Sequence, residues 1–170
     1  FYISIALALL VACIFAFVAY YIYRINKRLE KVFYRHKILF QNSAAAGIVW
    51  KEDYTITEWN TQAQRIFGWS ADEAIGKNFF DFLVPQEEHA LVKEHYKQIL
   101  NDHEMHIFIY KSCTKEGKIV LCEWRNIILP RSKEREDEMV SLAIDITQKH
   151  HEEAQLKKQA THDTLTSLPN

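Results

Sequence analysis

WNTQAQRIFGWSADEAIG, residues 59–76, carries the start and stop signals of two short helices in eighteen positions. Asn60 has the short acceptor side chain that caps a helix start, and Gly68 can take the left-handed conformation that ends one. Ser70 and Glu73 form an S-x-x-E capping box for the next turn of helix. Upstream, Ala46–Lys51 and Tyr54–Trp59 read as two short strands around a tight Glu52-Asp53 turn. Downstream, Pro85 opens a longer helix through about Leu100, with Leu91, Val92, Tyr96, Ile99 and Leu100 as its apolar stripe. Met105–Thr114 and Lys118–Leu129 then form a hairpin around Lys115-Glu116-Gly117. A polar loop, Arg131–Glu138, leads to a last strand, Val140–Ile146. Strands, short helices, one long helix and three antiparallel strands make an α+β domain.

These residues resemble a PAS domain. The similarity runs from Trp59–Gly76 through FFDFLVP (Phe79–Pro85) and KEGK (Lys115–Lys118) to the closing DIT of Asp145–Thr147, in order and at the right spacing. The resemblance implies a five-stranded antiparallel sheet with flanking helices, holding a sensory pocket or serving as a dimerising relay.

Alternation along the second hairpin strand sets Val120, Cys122, Trp124, Asn126 and Ile128 on one face, with Glu123 and Arg125 on the other. The first set is expected to face the core, with Val140, Leu142 and Ile144 making the matching choice on the last strand. Cys122, Trp124, Asn126, Ile128 and Leu142 are therefore the candidate pocket residues. Asn126 either satisfies backbone groups near the strand end or offers its amide to a ligand. The thiol–flavin chemistry of related light sensors needs a Cys in a G-x-N-C stretch, and here Gly76–Phe79 reads GKNF. Haem-binding relatives carry an axial His on the long helix. His89 and His95 lie there but out of alignment, and read as surface residues. No cofactor is assigned.

The eight histidines form no metal pattern: His103 and His106 point to opposite faces of an extended segment, and His150 and His151 are adjacent on a helix. Cys13, Cys113 and Cys122 are odd in number and form no CxxC, as expected of reduced thiols. With Glu116 at the turn, Cys113 should pair near Ile119 and Cys122 near Tyr110.

At 170 residues, 48% hydrophobic and 25% charged, the chain has room for one compact domain and extensions. Three Pro and four Gly exclude a low-complexity or collagen-like chain. A net charge of −1 gives no global positive field to attract nucleic acid. That average hides an asymmetry: residues 1–23 carry no charge, and Arg24–Lys37 holds six Lys/Arg against one Glu. Phe1–Tyr23 as a helix spans about 34 Å, enough for a hydrocarbon core of about 30 Å. Tyr20, Tyr21 and Tyr23 suit the membrane interface, and the basic cluster behind them places the C-terminal side in the cytoplasm. A bacterial inner-membrane anchor is therefore expected at 1–23. Its charges follow the apolar run, unlike those of a signal peptide. Ile22, Ile25, Leu29, Val32, His36 and Leu39 repeat at 3-4-3-4-3 spacing, so residues 24–40 read as a signalling helix that pairs into a parallel homodimer.

Beyond the expected PAS domain, 41–147, residues 148–160 form a polar connector helix. The stretch ATHDTLTSLPN, Ala160–Asn170, resembles the opening of a GGDEF domain, A-x-x-D-x-L-T-G-L-x-N-R. Asp163, Leu165, Thr166, Leu168 and Asn170 match, while Ser167 replaces the usual Gly. The resemblance implies a diguanylate cyclase that joins two GTP, with Mg, into cyclic di-GMP. Its catalytic residues would lie past Asn170, so none is assigned in this chain. Asp145 and Thr147, between sheet and output helix, are the expected points of signal transmission. The competing expectations are a non-enzymatic receptor feeding a degenerate GGDEF domain or a phosphodiesterase, and a histidine kinase or chemotaxis transducer.

Overall fold

A computed structural model describes residues 2–102, 104–129 and 138–161, in two compact units, 1–40 and 41–170. The first unit is helical: α1, Tyr2–Gln41, runs unbroken through Tyr23 into the basic segment. Its part Leu9–Gln41 is long and apolar enough to cross a membrane, with a mean hydropathy of 1.7. At the apolar-to-basic boundary the Arg24 guanidinium stands 6.0 Å from the Tyr20 ring centre, and the Lys27 ammonium 5.8 Å from that of Tyr23. Ile22, Ile25, Leu29, Val32 and Leu39 are all exposed along the helix.

In the second unit the elements are β1 (Ala46–Lys51), β2 (Ile56–Trp59), α2 (Thr61–Phe67), α3 (Ala71–Ala74), α4 (His89–Asp102), β3 (His106–Cys113), β4 (Ile119–Leu129), β5 (Glu138–Asp145) and α5 (Thr147–Thr161). The strands form one antiparallel sheet in the order β2-β1-β5-β4-β3, the expected fold class. Short 3-10 turns occupy Phe79–Asp81 and Gln86–Glu88.

The local signals of residues 59–76 act as their chemistry dictates. Asn60 Oδ1 accepts from the N–H of Ala63 and of Gly47, both at 2.8 Å, while its Nδ2 donates to the Ala45 carbonyl at 3.0 Å. One buried amide thus caps α2 and ties it to β1. Gly68 sits at φ +80°, where a Cβ would meet the Lys115 Cβ at 3.3 Å. Glu73 Oε2 accepts from the Ser70 N–H at 3.0 Å and hydroxyl at 3.1 Å, and Glu73 Oε1 pairs with Lys115. The hairpin register is as expected, with Cys113 opposite Ile119 and Cys122 opposite Tyr110.

Four expectations need correction. β2 starts at Ile56 rather than Tyr54, because Tyr54 takes φ +68° to close the turn. The long helix does not begin at Pro85: a 3-10 turn intervenes and α4 starts at His89. Leu91 is exposed, so the inward stripe of α4 is Val92, Tyr96 and Ile99; the Leu100 side chain lies outside the described residues. The fourth concerns β5, which spans Glu138–Asp145 in the opposite phase to that expected. Met139, Ser141 and Ala143 face the core opposite Ile128, Asn126 and Trp124. Val140 and Leu142 are half-buried and Ile144 is exposed on the other face. The reason is volume. Trp50 and Trp124 on neighbouring strands fill the inner face, which leaves room on β5 for small side chains.

Aromatic rings carry much of the core. Phe67 stacks on Trp124 at 5.9 Å and Trp124 on Tyr110 at 5.4 Å, both nearly parallel. Trp59, fully buried, tilts against Phe67 at 5.8 Å and donates its indole N–H to the Trp69 carbonyl.

Candidate functional site: an inner cavity and the exit from the sheet

β4 places Val120, Cys122, Trp124, Asn126 and Ile128 inward, each at most 5% exposed. Only two of the five pocket candidates, Trp124 and Asn126, reach the cavity between the inner sheet face and α4. Cys122 and Ile128 are packed into the core beside it. Leu142 is corrected: the phase of β5 puts it on the outer face, and its neighbour Ser141 lines the cavity instead. The space open to water centres is about 30 Å³. Trp50, His95 and Phe108 also line it.

A chain of side-chain hydrogen bonds crosses this wall. Trp50 Nε1 donates to Ser141 Oγ at 2.8 Å, and the Ser141 hydroxyl donates to Asn126 Oδ1 at 2.6 Å. Asn126 therefore does not serve backbone groups, as one expectation had it. Its partner is a serine on the adjacent strand. Two lining side chains hold buried nitrogens that have no partner: Trp124 Nε1 and His95 Nδ1. Buried polar groups are normally satisfied, so unmet ones beside a cavity mark a place for a guest or for water.

His95 is half-buried rather than a surface residue. Its ring stacks on Phe108 with centres 3.6 Å apart and planes 5° from parallel. Burial lowers its pKa, so the imidazole is neutral near pH 7. His89 packs edge-on against Phe80 at 4.7 Å, with Nε2 2.9 Å from the Val84 carbonyl oxygen. Burial pushes the Cys122 thiol up to about 12, which keeps it protonated and poor as a nucleophile.

The second feature is the junction of β5 with α5. Leu121 of β4 is held twice: its N–H donates to Thr147 Oγ1 at 2.9 Å, and its carbonyl accepts from the Ile146 N–H at 2.9 Å. Asp145 Oδ1 accepts from the Thr147 N–H at 2.9 Å and so braces the turn into α5. Asp145, at the end of β5, and Thr147, at the start of α5, thus form one hydrogen-bonded corner tied through Leu121 to β4, the strand that bears Trp124 and Asn126.

The family model described as PAS fold matches residues 36–146. The chain belongs to the PAS family. It is a PAS sensor domain of the kind found in signalling proteins, preceded by an apolar helix. The PAS domain of an HTR-like protein from Haloarcula marismortui is 25% identical, covering 72% of this chain and 98% of its own, with a TM-score of 0.60. A PAS domain from Colwellia psychrerythraea is 19% identical over 69% of this chain and 98% of its own, with a TM-score of 0.62. A PAS domain from a two-component sensor histidine kinase is 17% identical over 70% and 98%, with a TM-score of 0.57. No curated protein matches the chain.

At the G-x-N-C position of this PAS domain the Phe79 ring is buried and packs edge-on against Trp50 at 4.8 Å. The cavity beside these rings is about 30 Å³. Among the described residues no three His, Cys, Asp or Glu are grouped to hold a metal ion. The GGDEF-like residues Asp163, Leu165, Thr166, Leu168 and Asn170 lie outside the described residues, as does His103. Composition pointed to none of Trp50, His95, Phe108 and Ser141 as cavity residues. For Ser141 the signal was present, since an inward Asn126 needs a polar partner across the strand.

Proposed function

We propose that this chain is the sensory and relay region of a membrane-anchored diguanylate cyclase. α1 anchors it in the inner membrane with the PAS domain in the cytoplasm, and residues 22–39 pair it into a parallel dimer. A small molecule is sensed in the cavity behind β4, without haem or flavin. The output is a GGDEF domain that begins within Ala160–Asn170.

The observation that carries this reading is the double hold on Leu121, which joins the pocket strand to the helix leading into the GGDEF-like stretch. Trp124 lies three residues along β4 from Leu121. A guest that displaces Trp124 therefore moves the strand to which Thr147 is bound. Two cyclase halves must meet face to face, so a small rotation or shift of paired α5 helices alters turnover. The test is to express the protein with the coding sequence that follows Asn170 and assay conversion of GTP to cyclic di-GMP. Turnover with Mg supports the reading. An absent or degenerate GG-[DE]-EF stretch, together with no turnover, refutes the cyclase output.

A further inference from the structure

The cavity is chemically one-sided. Its lining side chains are aromatic, aliphatic or neutral and polar; burial lowers the pKa of His95 and raises that of Tyr110, so both rings are uncharged near neutral pH. The Asn126 acceptor oxygen is already taken by the Ser141 hydroxyl, and the Ser141 oxygen by the Trp50 indole. The donors left to offer a guest are the amide Nδ2 hydrogens of Asn126 and the unpartnered indole N–H of Trp124, beside the unpartnered Nδ1 of His95. Trp124 is 3% and Asn126 5% exposed, so neither can meet this need with bulk water. The two stand two residues apart on β4 and so project from the same face of the strand. An ion brought here would lose its hydration with no countercharge, a cost that rejects it.

We infer that the cavity is a binding site for a small uncharged carbonyl compound, such as a primary amide, whose oxygen accepts from Trp124 Nε1 and Asn126 Nδ2. This rests on the sensory reading above and specifies the ligand class of that site. The size follows from the volume. A water needs about 10–15 Å³ of such space, so about 30 Å³ admits two water-sized groups, or a guest of about four non-hydrogen atoms.

The test uses the full chain in detergent micelles, labelled with 15N at tryptophan, and follows the four indole N–H signals while acetamide is added. Single Trp→Phe variants assign them. Acetate, which has the same shape and a charge, is titrated in parallel. The expected result is a saturable downfield movement of the Trp124 signal with acetamide, an apparent Kd at least about tenfold weaker for acetate, and loss of the response in Asn126→Leu. An unmoved Trp124 signal overturns the inference, as does a response to acetate equal to that to acetamide. The acetamide–acetate comparison is made on the unaltered protein, so it stands even if Asn126→Leu fails to fold. If methyl signals of Ile48 or Val92 move with an apolar probe while Trp124 stays still with acetamide, the ligand class is refuted and the sensory reading survives.

Discussion

Replacing Ser141 with Ala tests the polar chain that crosses the cavity wall. The hydroxyl is 2% exposed, accepts from Trp50 Nε1 at 2.8 Å and donates to Asn126 Oδ1 at 2.6 Å. Removing it leaves one buried donor and one buried acceptor unmet, each worth about 1–3 kcal/mol. The adjoining space of about 30 Å³ can take a water that serves one of the two, so the net loss should be about 2 kcal/mol. With an m-value near 2 kcal/mol/M, the urea midpoint should fall by about 1 M at unchanged m. Tryptophan fluorescence is the right probe, because all four tryptophans lie within residues 50–124 and α1 has none. The full chain can therefore be unfolded in micelles with only the PAS domain reporting. A double-mutant cycle with Asn126→Leu should show a coupling of about 1 kcal/mol. A loss below about 0.5 kcal/mol for Ser141→Ala, the range of a surface change, would refute the argument that this chain is buried and fully used.

Gly68→Ala should cost about 2 kcal/mol by the same melt, because the φ of +80° and the 3.3 Å approach to Lys115 Cβ add together. Gly117→Ala, at φ +78° with open space around it, should cost about 1 kcal/mol. Equal losses would remove the steric part of that account. The Glu73 carboxylate is held down to about 2, first by Lys115 and then by Ser70, against an ordinary 4.5. A depressed acid stabilises the fold above its unfolded value, and that contribution fades as pH falls from 4.5 towards 2. Glu73→Gln should therefore lose stability relative to the parent at pH 7 and approach it below pH 3, as read from urea midpoints across about pH 2–7. Thr147→Val removes the acceptor of the Leu121 N–H, so that amide should exchange with solvent about tenfold faster, while Thr147→Ser keeps its protection. Unchanged exchange in Thr147→Val would show that this bond does not hold β4 to α5.

Much of the domain is decided within a few residues of chain. Asn60, Gly68 and the Ser70–Glu73 pair state where short helices begin and end, because caps use groups no more than four positions away. The β3–β4 register follows from the turn at Lys115–Gly117, and the β4 face from alternation alone, since Glu123 and Arg125 cannot share a face with a core. The apolar run and the basic residues behind it likewise speak for α1 without any tertiary contact.

The inner face of β5 was settled otherwise. By hydrophobicity Val140, Leu142 and Ile144 are the better core residues, yet Met139, Ser141 and Ala143 face inward. What decided it was the size of Trp50 and Trp124, which sit beside β5 in the sheet and distant from it in sequence. His95 likewise became a cavity residue only when α4 packed its ring on Phe108. Local sequence determines caps, turns and strand alternation because their partners are near neighbours. Which face of a strand is inward, and which polar atoms are left unmet around a cavity, depends on volumes brought together from across the fold.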